Sequence, residues 1–244
     1  MAADRITTGA EGLDAMLGGG FIPGSTVLVR GTPGTGKTSL ALQFLIHGAG
    51  SGDTPLLVSF EESPASLYRD AQALGWNLED LEDRGALHFV FTSPEIFLSG
   101  LESPESALSR LMCQADGRRI VLDSVSHFDD FTDDSGELRR IYTRVVNGLR
   151  RERATALLLV EETGSSHQLA YPRGLSSLVD VVIVMRYVEI AAAVQRAILV
   201  LKMRGSDHGK EIRRYRIEPG GLRVLDVFEG CEGLLSGTPH LAFG

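Results

Sequence analysis

The sequence predicts an α/β fold, with helices on both sides of a mostly parallel central sheet that ends in antiparallel C-terminal strands. Three observations carry this. Short apolar runs recur at 26–29, 56–60, 87–91, 120–122, 156–160 and 181–185, almost unbroken, as strands buried on both faces of a parallel sheet must be. Stretches with a 3.6-residue apolar period lie between them. The 28 glycines cluster at 18–20, 31–36, 48–52 and 220–221, so turns fall between the runs rather than inside them.

Taken in order, residues 1–24 form an entry segment, Thr26 to Arg30 the first strand, and Ser39 to His47 a helix after a glycine-rich loop. The strand Leu56 to Phe60 leads to Ser63-Pro64, an N-cap with proline at the first helical position. Leu67, Ala71 and Leu74 then share one helical face. Ser103-Pro104 offers the same start signal. Leu138, Ile141, Tyr142, Val145 and Leu149 keep helical spacing, with arginines on the other side. Strand–helix alternation over 25–185 implies right-handed crossovers in a three-layer sandwich.

After 181 the pattern changes. The runs 181–190, 196–203, 213–217 and 222–225 have no helix between them, and Pro219-Gly220-Gly221 turns the last pair. With no repeat, low-complexity segment or linker, 1–244 reads as one domain, its antiparallel end at about 181–228.

Composition narrows the function. With 43% hydrophobic and 23% charged residues the chain is not disordered by composition. Lys plus Arg is 24 against 32 Asp plus Glu, a net charge of −8, so bulk polyanion binding is not expected. Cys113 and Cys231 are too far apart for a metal-ligand spacing. The N-terminus lacks the basic and apolar regions of a signal peptide, and the apolar runs are too short to span a bilayer. The expectation is a soluble, cytoplasmic protein without a membrane partner.

Gly31-Thr32-Pro33-Gly34-Thr35-Gly36-Lys37-Thr38 fits G-x-x-x-x-G-K-[ST] in full, between a strand and a helix as the motif requires. Its glycines let successive backbone N–H groups turn inward around a phosphate, and the helix N-terminus adds partial positive charge. Lys37 then reaches the β and γ oxygens, and the Thr38 hydroxyl, followed by Ser39, ligates Mg²⁺. The loop predicts a nucleoside triphosphate and Mg²⁺ as ligands.

Two other strand ends supply carboxylates. The run Ile120-Val121-Leu122 ends in Asp123, placed either at the metal or as a cap of the next turn. Leu56 to Phe60 ends in Glu61-Glu62. A carboxylate there polarises the attacking water and borders the metal, which assigns Glu61 to base and metal. Glu62 either supports Glu61 or caps the helix that begins near Pro64.

These residues resemble the KaiC family of RecA-like ATPases. The resemblance runs from 5 to about 238. It rests on Arg5-Ile6-Thr7-Thr8-Gly9, Gly12-Leu13-Asp14 and Gly18-Gly19-Gly20-Phe21 ahead of the loop, then Glu61-Glu62-Ser63 and Ile120 to Ser124. Its most specific part is Tyr187-Val188-Glu189-Ile190 with Lys202-Met203-Arg204-Gly205-Ser206-Asp207-His208. It is strongest to the C-terminal ATPase domain of KaiC.

The resemblance implies a ring, usually of six copies, with ATP between neighbours. It makes Glu61 the general base and Glu62 its support. Lys202 and Arg204 reach a neighbour's phosphates, with Met203, Ser206, His208 and Arg196 also near that nucleotide. Spacing at i and i+2 on a strand puts Lys202 and Arg204 on one face; a solvated basic edge strand is the other reading. The family also phosphorylates itself on adjacent hydroxyls ahead of Y-V-E-I, which here are Ser176 and Ser177. Two departures stand out: one ATPase domain where KaiC has two, and an end at Gly244 where KaiC continues into a tail that engages KaiA.

The leading function is therefore an oligomeric ATPase in a signalling or timing role with a protein partner; Ser176 and Ser177 read either as phosphoacceptors of an autokinase or as ordinary surface serines at the end of a loop. A RecA-like motor on single-stranded DNA is the alternative, although the loop 163–177 offers only Arg173 and Tyr171 to a strand that needs charge and stacking. A nucleotide-gated assembly protein with little turnover is the third. His47, His88, His127 and His167, Trp76 and the Phe89/Phe91 pair read as structural. Arg139, Arg140, Arg144, Arg150, Arg151 and Arg153 read as a solvated or subunit-facing surface.

Overall fold

The apolar runs do form one sheet. The computed structural model describes residues 5–103, 105–114, 118–162, 174–190, 192–228, 231–232 and 240–241. Its main sheet holds β1 (Thr26–Gly31), β2 (Leu56–Ser59), β3 (His88–Phe91), β4 (Arg119–Asp123), β5 (Thr155–Glu161), β6 (Val181–Ile190), β7 (Ala193–Met203), β8 (Arg213–Glu218) and β9 (Gly221–Val227). The order is β3-β2-β4-β5-β1-β6-β7-β8-β9. Pairs from β3 to β6 are parallel, and β6-β7, β7-β8 and β8-β9 are antiparallel. This is the mostly parallel sheet with an antiparallel end that the alternation and the last third of the sequence predicted, and the RecA-like arrangement that the resemblance implies.

Period-two alternation splits the core. Val27, Val29, Leu57, Val121, Leu157 and Leu159 face one way. They pack on α1 (Leu13–Met16), α2 (Lys37–Gly50), α3 (Pro64–Ala73) and α4 (Leu78–Asp83). Leu28, Leu56, Val58, Ile120, Leu122, Ala156 and Leu158 face the other way. They meet α5 (Pro94–Glu102), α6 (Ala107–Gln114), a 3-10 turn (Val125–Phe131) and α7 (Ser135–Arg151). The apolar stripe of α7, from Leu138 to Leu149, is buried as its spacing requires. A last short helix, α8 (Leu175–Leu178), leads into β6.

One helix start differs from expectation. Ser103 closes α5, and the Ser106 hydroxyl accepts the Ser109 N–H at 2.9 Å to start α6; Pro104 lies outside the described residues. Ser93-Pro94 is the true second signal, with Ser93 accepting the Ile96 N–H. Phe91 also departs from a packing role: it is exposed at the end of the edge strand β3. The α7 arginines do not form a free basic face, since Arg139, Arg144, Arg150 and Arg151 all bond within the chain. No helix among the described residues is long and apolar enough to cross a membrane.

Candidate functional site

Four adjacent parallel strands, β2, β4, β5 and β1, end at one edge of the sheet, the edge where ligands bind in open α/β sheets. The loops leaving them surround a cleft of about 540 Å³ lined by Pro33, Gly34, Gly36, Lys37, Thr38, Ser39, Glu61, Glu62, Asp123 and Glu161, with Arg196 and Ile217 from the antiparallel strands.

The phosphate loop is braced by those later strands. The Tyr187 hydroxyl donates to Gly34 O and the Tyr215 hydroxyl to Thr35 O, each at 2.5 Å. Gly34 and Gly36 have φ of +77° and +93°. A Cβ on Gly34 would sit 2.9 Å from the Tyr187 hydroxyl, and one on Gly36 would enter the space of Ile217, so both positions require glycine. Gly36 immediately precedes α2, whose first turn therefore begins inside the motif at Lys37.

Lys37 donates to Gly31 O at 2.9 Å and Thr32 O at 3.2 Å. Burial lowers its pKa, while Glu161, Asp123 and Glu162 act in the opposite direction. Thr38 Oγ1 donates to Asp123 Oδ2 at 2.9 Å. Burial pushes the Asp123 carboxyl up to about 6, against the Thr38 hydrogen bond and with Glu62 adding to the rise. A hydroxyl touching a carboxylate in a largely buried corner is a hard oxygen donor set, which suits Mg²⁺.

Glu61 and Glu62 stand in different surroundings. Glu61 is exposed to the cleft, with His127 Nε2 at 3.3 Å from its Oε2. Glu62 has its pKa raised, first by burial and then by Asp70 and Glu61, and its carboxyl also meets Ser66 in the first turn of α3. Glu62 thus stands between Glu61 and the first turn of α3, whose N-cap residue is Ser63.

The remaining predicted residues divide between this cleft and the far end of β7. Arg196 lines its own chain's cleft, its guanidinium over the Tyr187 ring at 5.6 Å. Lys202 is six residues farther along β7, ~20 Å away at strand rise, where it pairs with Val182 near the start of β6. Its ammonium donates to Ser176 O at 2.8 Å and Val179 O at 2.7 Å. Arg204 donates to Ser177 O at 2.8 Å. Their common face, expected from i and i+2, is the face toward α8. Met203 is buried. The Ser206 hydroxyl accepts from Arg5 and donates to Asp207 O, and the buried His208 Nδ1 has no hydrogen-bond partner. Ser176 is buried with its hydroxyl unpartnered, while Ser177 is exposed and accepts from Arg139 at 2.9 Å.

A family model described as "ATPase: KaiC" matches residues 6–228. The chain belongs to the KaiC ATPase family. Among curated proteins it is 35% identical over 237 residues to the circadian clock oscillator protein KaiC of Parathermosynechococcus lividus, covering 96% of this chain and 43% of that protein. The KaiC of Acaryochloris marina matches at 35% identity with 45% of its length covered, and KaiC 1 of a Synechocystis strain at 33% and 45%. The chain thus spans somewhat less than half the length of the curated relatives it matches.

Within this KaiC-family fold, the cleft includes residues that sequence reading missed. Glu161 lines it, its backbone N–H held by Ser126 Oγ at 2.9 Å. Glu162 donates its N–H to Gly31 O at 3.0 Å and ion-pairs with the buried Arg30. The signal was present: Glu161-Glu162 follows the run 156–160 as Glu61-Glu62 follows 56–60. His127, read as structural, is brought to Glu61 by the 3-10 turn after β4. Residues 163–173, with Tyr171 and Arg173, lie outside the described residues.

Proposed function

We propose that this chain is a KaiC-family ATPase domain that binds Mg·ATP on Gly31–Thr38 and hydrolyses it between copies arranged in a ring. The observation that supports it best is the split of charge along the sheet. Phosphate loop, Asp123 and Glu61 share one cleft, whereas Lys202 lies ~20 Å along β7 from Arg196 at that cleft, with Arg204 beyond it, so any nucleotide they serve is another copy's.

Thr38 and Asp123 would hold Mg²⁺, which neutralises phosphate charge when bound. Backbone N–H groups of the loop and the start of α2 bind the phosphates, and Lys37 leaves Gly31 O and Thr32 O to join them. Arg196 and Tyr187 close the cleft beside the loop. Glu61 accepts the proton of the attacking water. A neighbour's Lys202 and Arg204 stabilise charge on the transferred group.

The same reading extends to serine modification in trans. Ser177, exposed and held by Arg139, is the better-presented acceptor, and the buried Ser176 the poorer one. Incubation with Mg·ATP should add phosphate to the tryptic peptide 174–186; an unchanged mass after many hours removes the kinase activity and leaves the ATPase. The name of the relatives, circadian clock oscillator protein, supports a timing role for this chain. Mass photometry with and without Mg·ATP, paired with phosphate release, tests the core proposal. A monomer that turns over ATP at full rate overturns it.

A further inference from the structure

Lys202 and Arg204 do not project freely from the end of β7; they rest on one turn of the chain, Ser176–Asp180. Its carbonyls receive Lys202 at Ser176 and Val179 and Arg204 at Ser177. The turn is fixed in turn by Asp180. One carboxylate oxygen accepts the Thr26 N–H at 3.0 Å, at the start of β1, and the other accepts Arg150 of α7 at 3.0 Å and lies 3.7 Å from Arg204. The Asp180 backbone also donates to Thr26 O at 2.8 Å and accepts the Arg204 N–H at 2.9 Å. One residue therefore ties β1, α7 and the end of β7 together at the point where the two cations emerge.

The carboxylate costs little in reach. Arg204 keeps about half of its side chain exposed, at 52%, while Asp180 is largely covered at 22%. An arginine paired on one side and free on the other has its direction set without losing its donors, which suits a fork-shaped cation that must meet phosphate oxygens.

The geometry points to Asp180 as the positioning residue for Lys202 and Arg204, setting the direction in which they leave the subunit toward a neighbour's nucleotide. This rests on the proposal that both act in trans, and the experiment separates the two ideas. Asp180→Asn keeps an acceptor for Thr26 but removes the charge facing Arg150 and Arg204. Turnover should fall about tenfold to a hundredfold, as misplacement of a transition-state contact does, with Mg·ATP affinity unchanged.

Three further results are expected. Mixing with Lys37→Ala subunits, whose Asp180 is intact, should restore part of the activity. Asp180→Asn added to the Lys202→Ala, Arg204→Ala double variant should lower turnover no further. Arg150→Gln, which breaks the other pair of the same carboxylate, should change turnover by less than threefold. An Asp180→Asn ring with normal turnover, or one that mixing fails to rescue, overturns the positioning role in favour of none or of plain support for β1. Arg204→Ala at wild-type rate sinks the trans reading itself. If Asp180→Asn unfolds at assay temperature, Asp180→Glu retains the charge but displaces it and should show the same rescuable loss.

Discussion

At one edge of the sheet, backbone N–H groups and four carboxylates, Glu61, Glu62, Asp123 and Glu161, surround a cleft whose cations, among the described residues, are Lys37 and Arg196. At the other, Arg139, Arg150, Lys202 and Arg204 crowd one helical turn around a single carboxylate, Asp180. The first edge can grip a phosphate but is poor in positive charge. The second has surplus positive charge and, among the described residues, no phosphate loop. Each lacks what the other holds, and a sheet of fixed length keeps them apart in one chain. Complementary halves at opposite ends are the condition for a head-to-tail contact between copies, the heterologous kind that closes into rings.

The strongest way to break this comparison is to delete the far edge's contribution. Arg204→Ala should lower turnover by ~10³–10⁵, the usual worth of an arginine supplied across an interface, while its own phosphate loop still binds Mg·ATP. Activity should partly return on mixing with Lys37→Ala subunits, since some interfaces then join an intact loop to an intact arginine. Absence of recovery at every ratio would place Arg204 in a structural role.

On the near edge, Glu61→Gln should retain nucleotide and lose ~10²–10⁴ in turnover, the range for a removed general base. Phosphate release within a few-fold of wild type would pass the role to another carboxylate, and Glu161 is the first to try. Lys37→Ala acts on binding instead. Losing a charged donor to the phosphates costs roughly 1.5–3 kcal/mol per hydrogen bond, so calorimetry should show Mg·ATP affinity down by about two orders of magnitude or more.

Sequence reading reached the near edge unevenly, and the reason is physical. The loop, Asp123 and Glu61-Glu62 each follow a recognisable local pattern, a motif or a strand ending in a carboxylate. Glu161-Glu162 shows the same pattern but matters only because β5 lies between β4 and β1, an order set by crossovers rather than by local spacing. Arg30 is a charge inside an apolar strand, and only the neighbouring strand end explains its burial. His127 reaches Glu61 through the path of a 3-10 turn that no periodicity encodes. At the far edge the spacing of Lys202 and Arg204 gave their shared face, but not that the face is α8 or that Asp180 anchors it.

The smallest expected effect sharpens the comparison through stability. Asp123 has a folded-state pKa of about 6 against an ordinary 3.8, with burial the main cause. A carboxyl raised in the folded state binds its proton more tightly there than in the unfolded chain. Its ionised form therefore destabilises the metal-free protein above pH 6, by about 3 kcal/mol at the usual conversion of ~1.4 kcal/mol per unit. That cost falls as pH drops from 6 toward 4 and vanishes below the unfolded value. Asp123→Asn should thus raise the metal-free Tm at pH 8 by about 5–10 °C, and by much less at pH 4.5. Added Mg²⁺ should stabilise the wild type at pH 8 and leave the variant unmoved, because the metal supplies the missing counter-charge. Equal melting of the two proteins at both pH values would mean that the corner is wetter than its geometry indicates. Asp180, paired with Arg150 and Arg204, gives the contrast: its Asn variant should gain no stability at pH 8, since its charge is already compensated within the chain.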